Sequence, residues 1–152
     1  MILGRIPVAI PTLAMMLFAG STMLAASADD IAVTNLDVIL KHEPLLPSGS
    51  TASIVASIRV GGAELGVLVL SKNRLHHHEA QDHVLYVARG NGTARLENAA
   101  GQIETRAIRP GDILSLPRGR KHGFEKSGGE DLVFLVIATP PSPGVEETTY
   151  HE

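Results

Sequence analysis

The chain has 152 residues, no cysteine and a formal net charge of −3. The absent cysteines exclude a disulfide scaffold and thiolate metal sites, and the length permits one domain with its own core. The mild acidity predicts neither a basic footprint for nucleic acid nor a polybasic patch for a membrane surface.

The pattern of charge and hydropathy in residues 1–28 predicts a secretory signal peptide. Arg5 supplies a positive charge, Ile6 to Leu24 contains no charged residue, and Ala26-x-Ala28 offers the small side chains that a signal peptidase accepts. An uncleaved membrane anchor is the alternative, although the apolar stretch falls just short of a span and prolines interrupt it. We therefore expect cleavage after Ala28, a periplasmic or secreted mature chain, and no membrane contact after cleavage.

The remainder of the chain predicts an all-β domain. Short apolar or alternating runs are separated by turn residues, which is typical of antiparallel sandwiches and barrels. The predicted strands are 53–60, 63–71, 83–89, 93–97, 102–108, 113–116, 122–125 and 131–138. The last is apolar enough to be buried on both faces. The pattern gives an N-terminal arm at 29–50, a β-barrel domain at 51–139 and an extended, mobile tail at 140–152.

Four of the seven histidines are close together in the sequence: His76, His77, His78 and His83. If they lie on a strand, His76 and His78 point to one face and His77 to the other. Two imidazoles at this spacing can share one metal ion, and a hairpin could return His83 beside them. The alternative is a solvated, weakly basic loop.

Two spaced motifs in this chain resemble those of the cupin superfamily. The first reads His76-x-His78, four residues, His83, six residues and Gly90, where the family usually has glutamate at the position of His83. The second reads Gly111, five residues, Pro117-x-Gly119, two residues and His122, followed by Lys126 in place of the usual asparagine. The glycine expected before the first ligand is also replaced, by Leu70.

The resemblance implies a single-domain double-stranded β-helix, the jelly-roll cupin barrel, with a metal site inside it. The implied ligands are His76, His78, His83 and His122. Because His83 replaces the customary glutamate, any reaction that uses that carboxylate as a base is in doubt. The family also implies a possible homodimer.

A histidine site suits Mn, Fe, Co, Ni, Cu or Zn and does not choose among them. Four neutral imidazoles leave a divalent ion its full charge, which favours an anionic small molecule. We expect a metal-dependent enzyme, of oxygenase type, or alternatively a non-catalytic module that binds a metal or small ligand. No catalytic residue is assigned.

Other residues receive structural or no assignments. Tyr86 is out of phase with His83, so we expect it on the outer face or in a subunit contact. The glycines at 90, 111 and 119 are expected to supply turns. The basic run at 118–121 is expected to be a solvated turn rather than an anion guide. His42 and His151 lie outside the motifs and are assigned nothing.

Overall fold

The computed structural model describes residues 33–41, 45–141 and 148–151; the predicted signal peptide and His42 lie outside them. The strands are β1 (Ala52–Val60), β2 (Ala63–Leu70), β3 (His76–His78), β4 (Asp82–Arg89), β5 (Gly92–Glu97), β6 (Ile103–Ile108), β7 (Ile113–Leu116), β8 (His122–Lys126), β9 (Leu132–Thr139) and β10 (Thr148–Tyr150), and one short helix, α1, spans Leu36–Ile39. No helix within these ranges is long and apolar enough to cross a membrane.

The strands form two five-stranded antiparallel sheets. One has the order β1-β2-β9-β4-β7 and the other the order β10-β3-β8-β5-β6. Strands far apart in sequence are neighbours, such as β2 beside β9 and β3 beside β8. Two facing sheets with these long connections are a jelly roll, so the predicted fold class is confirmed. The eight predicted strands match β1, β2 and β4–β9 to within two residues at each end.

The two sheets bury their facing side chains in one apolar core. Leu70, Leu132 and Phe134 project from the first sheet and are fully buried. Ala94 and Phe124 meet them from the second sheet. Side chains alternate along each strand, so every second residue of these strands enters the core while its neighbours face outward.

The outer face of the first sheet carries a second apolar cluster under the N-terminal arm. Val67, Val69 and Val133 project outward there and pack beneath Leu36 and Leu40 of the arm. The arm therefore seals this face, and β9 is buried on both sides at this end, as its sequence predicts. Fixing β2 and β9 in this way gives the barrel one rigid wall.

The turn glycines have the conformations expected of them. Gly90, Gly111 and Gly119 have φ of +76°, +99° and +74°, a region that side chains disfavour. At Gly90 an added Cβ would also lie 2.5 Å from the backbone oxygen of Asp131. Tyr86 lies on the outer face, 42% exposed, as predicted.

The end of the chain forms a strand that the sequence did not indicate. The proline-rich composition predicts an extended, mobile tail, whereas β10 pairs with β3, placing Thr148 opposite His78 and Tyr150 opposite His76. The reason is the open edge of β3, whose unpaired backbone groups accept an added strand. The tail thus reaches the histidine cluster.

Candidate metal centre

A cavity of about 280 Å³ lies between the two sheets, and all four predicted metal ligands line it. His76 and His78 project from β3 and His122 from β8, which are neighbours in one sheet. His83 projects from β4 in the opposite sheet. The jelly roll therefore brings together histidines that are up to 46 positions apart in sequence.

Three of the four histidines are close enough to share one ion. His76 faces His122 across the β3–β8 pair, and their ring centroids are 4.4 Å apart. His78 lies on the same face of β3, with its ring 5.1 Å from that of His76. One ligand nitrogen from each ring lies within 4.8 Å of the other two. Three converging imidazoles are a donor set that transition ions accept.

Backbone carbonyls fix the tautomer of two of these rings. His76 Nδ1 lies 2.8 Å from the oxygen of Arg74, and His122 Nδ1 lies 3.0 Å from the oxygen of Arg120. A carbonyl oxygen only accepts, so each Nδ1 carries the hydrogen and donates it. In the neutral rings Nε2 then keeps its lone pair for a ligand bond, the usual arrangement of metal-binding histidines.

Burial keeps the cluster neutral. Desolvation, together with the positive charge that His76 could carry, lowers the pKa of His122 to about 3. Desolvation, with His83 and His76 nearby, lowers the pKa of His78 to about 4. Burial also lowers the pKa of His83. These three imidazoles are therefore unprotonated near neutral pH, which is the state that binds metal.

His83 lies in the same cavity but outside the three-histidine group. Its ring centroid is 4.5 Å from that of His78, whereas the group with mutually close nitrogens contains only His76, His78 and His122 among the described residues. The predicted set of four is therefore a core of three with His83 beside it. Whether His83 is a ligand stays a prediction.

Hydrogen bonds position the loop that delivers His122. The backbone N–H of Gly119 donates to the carbonyl of His78 at 2.8 Å. Arg118 donates to Asp82 from its backbone at 2.9 Å and from its guanidinium at 2.6 Å, which lowers the pKa of Asp82 to about 2. The loop before β8 is thus tied to both strands that carry the other histidines.

His77 lies outside the cavity, as its strand phase predicts. Its Nε2 is 2.6 Å from a carboxylate oxygen of Glu79, and its Nδ1 is 2.7 Å from Nε2 of His151. Because the carboxylate accepts, His77 donates from Nε2 and accepts at Nδ1 from His151. Both ring nitrogens are therefore engaged, and His151, the residue after β10, stacks on the ring of His77.

The C-terminal strand supplies two cavity residues that the sequence did not single out. The hydroxyl of Thr148 lies 3.3 Å from Nδ1 of His78, the position that carbonyls occupy at the other two rings. The ring of Tyr150 lies 5.8 Å from that of His76, centroid to centroid, and the guanidinium carbon of Arg74 lies over the tyrosine ring, 5.4 Å from its centroid. Only the pairing of β10 with β3 reveals these roles, because nothing in the local sequence marks them.

Comparison with known families supports the fold. Residues 70–138 match the cupin-domain family Cupin_2. This stretch spans β3 to most of β9, including all four cavity histidines. Together with the two facing sheets, the match supports a cupin-type jelly-roll domain in this part of the chain.

The chain is also similar to curated proteins, of which it spans about half the length. It is 30% identical over 97 residues to germin-like protein 8-14 of Oryza sativa subsp. japonica, covering 63% of this chain and 46% of that protein. It is 27% identical over 89 residues to an acireductone dioxygenase of Bacillus cereus, covering 59% and 52% respectively.

One similar solved structure shares the fold of this chain over nearly the whole length of the solved protein. It is an uncharacterized conserved protein with a double-stranded β-helix domain from Klebsiella pneumoniae, with a TM-score of 0.61 and 17% identity. The alignment covers 81% of this chain and 99% of that one. At this identity the likeness shows the fold alone.

We expect the metal-free protein to lose stability as the pH falls because of His122. Its pKa is about 3 when folded and about 6.5 when unfolded, so between these values only the unfolded chain takes up the proton. Stability is unaffected above the unfolded pKa and falls by up to about 1.4 kcal/mol per pH unit below it. Thermal unfolding in chelator across this range should show a shallower loss for His122→Gln; equal slopes would contradict a neutral, buried His122.

We expect Thr148→Val to weaken metal binding by about 10- to 100-fold, because Nδ1 of His78 would lose the hydroxyl partner that orients the ring. Thr148→Ser should retain the affinity. Thr149→Val is the matched control, since Thr149 pairs with His77 and its side chain is exposed. Competition with a metal-binding dye measures the affinity. Binding by Thr148→Val as tight as wild type would show that the hydroxyl does not position His78.

Proposed function

We propose that this cupin-type domain holds a divalent transition ion on His76, His78 and His122, with His83 as a fourth ligand, and binds a small anionic molecule there. The observation that carries the proposal is the convergence of three imidazoles, two of them buried and with Nδ1 hydrogens committed to carbonyls. This donor chemistry suits Mn, Fe, Co, Ni, Cu or Zn.

The chain's own residues prepare the site in three ways. The carbonyls of Arg74 and Arg120 orient two rings, burial keeps the rings unprotonated, and the cavity limits the ligand to a small molecule. Neutral imidazoles leave the charge of a bound ion undiminished, which favours an anionic ligand. Such an ion supplies Lewis acidity to a coordinated oxygen atom.

An oxygenase-type reaction is the first use we propose for this centre. The similarity to a protein named acireductone dioxygenase supports it, because that relative aligns over 89 residues of this chain. The wide choice of metals open to histidine ligands is consistent with redox chemistry as well as with Lewis acid chemistry.

A non-catalytic binding module is the second candidate. The small number of carboxylates in the cavity favours it. Among the described residues lining the cavity, Glu64 carries the single carboxylate. That group is engaged by the hydroxyl of Ser57 and by the guanidinium of Arg59 at 3.1 Å. With His83 at the customary glutamate position, no free carboxylate is placed to act as a general base.

We also retain export and self-association as proposals. Export rests on the apolar segment and Ala26-x-Ala28 of the sequence. A homodimer rests on the family, and the outer face of β4 offers a surface for it. Val84 and Tyr86 are each 42% exposed there, beside Ile113 at 70% and Ile137 at 45%.

We expect His122→Ala to abolish metal binding, because it removes one of three converging ligands. His83→Ala should weaken binding without abolishing it, because the core of three remains. His77→Ala is the control and should bind normally, since both nitrogens of His77 are engaged outside the cavity. Metal content after dialysis, by elemental analysis, measures each. Full occupancy in His122→Ala would overturn the proposed centre.

The two candidate uses differ in their consumption of dioxygen. We expect iron- or manganese-loaded protein to consume dioxygen with some members of a panel of small enolates and catechols, above the rate of His122→Ala. An oxygen electrode measures this directly. Ligand binding with no uptake across the panel would support the non-catalytic module instead.

A further inference from the structure

The cavity has one wall of histidines and a lining elsewhere that is largely apolar. The histidines stand on one side. Much of the remaining lining is made of aliphatic and aromatic side chains that also belong to the core: Leu68, Leu85, Leu116, Phe124 and Val136. A ligand that reaches the histidines therefore places much of its remaining surface against hydrocarbon, which favours an apolar body.

No lysine or arginine is among the described residues that line this cavity. The polar residues there besides the histidines are neutral, apart from Glu64, whose negative charge would repel a second anionic group.

The nearby cations are committed elsewhere. Arg118 is bound to Asp82, and Lys121 lies 3.8 Å from Glu97. The guanidinium of Arg74 lies over the ring of Tyr150. Arg118 and Lys121, which belong to the basic run beside His122, are thus each paired with a carboxylate outside the cavity. Only a metal ion could then neutralise a ligand's charge inside the cavity.

We propose, on the basis of the metal centre proposed above, that the cavity selects ligands with a single anionic metal-binding group and an apolar body. A second carboxylate would lie largely against hydrocarbon in a cavity whose described lining has no lysine or arginine to pair with it, and leaving a charge unpaired in such surroundings is strongly unfavourable. The site should therefore discriminate against dicarboxylates of the same length.

Butyrate and succinate test this directly, because they share a four-carbon skeleton and differ in one end group. Cobalt-loaded protein is titrated with acetate, butyrate and succinate, and the visible absorption of the cobalt reports binding. We expect butyrate to bind more tightly than acetate, because of its apolar chain, and at least ~10-fold more tightly than succinate. Succinate equal to or tighter than butyrate would overturn the inference.

A charge-insertion variant separates the cavity's electrostatics from its shape. Ser53 lines the cavity near the start of β1, whereas Val60 is the last residue of the same strand and is 73% exposed. Ser53→Lys should shift the preference toward succinate. Val60→Lys adds the same charge outside the cavity and should leave the ratio unchanged. An unchanged ratio in Ser53→Lys would contradict the charge argument.

The experiment separates failure of this inference from failure of the proposed metal centre on which it rests. Cobalt uptake is measured before any titration, so failure to bind cobalt would overturn the metal centre and the inference together. Normal cobalt binding with no response to butyrate would overturn the inference alone, as would equal binding of acetate and butyrate.

Discussion

Imidazoles packed side by side in a protein interior must stay neutral, and this constraint governs the histidine site. His76 and His122 are buried to 8% and 4% exposure, so a proton on either would lie beside the other without water to solvate it. Packing the buried rings against one another therefore meets two requirements of a metal site. The ring nitrogens stay unprotonated, and they face a common point. In His76 and His122, the backbone carbonyls that accept from Nδ1 leave Nε2 as the nitrogen available to a metal.

The fold satisfies this constraint with strands from both ends of the domain. β3 supplies two rings, β8 supplies the ring opposite them, and the loop before β8 is tied to β3 and to Asp82 at the start of β4. Remote parts of the molecule contribute through rigidity, because the N-terminal arm seals the outer face of the sheet that forms the opposite wall. Apolar core residues continue into the cavity, which links the packing of the barrel to the kind of ligand it admits.

The sequence predicted most of the barrel and the identity of the clustered histidines. Alternating apolar runs and turn glycines are local signals, and His76, His78 and His122 stand in motifs whose spacing reflects the register of β3 and β8. The roles of Thr148 and Tyr150 were not predictable, since they depend on an edge pairing between segments about 70 residues apart. The same limit applies to His83, whose distance from the other rings depends on how closely the two sheets approach.

The most direct test of the account is X-ray absorption spectroscopy at the metal edge of protein purified with its native ion, with the metal content measured in parallel. The account predicts about one transition ion per chain, with a first shell of nitrogen and oxygen that shows the multiple-scattering pattern of three or four imidazoles. A protein without a bound ion, or an ion whose shell lacks imidazole scattering, would contradict the central claim.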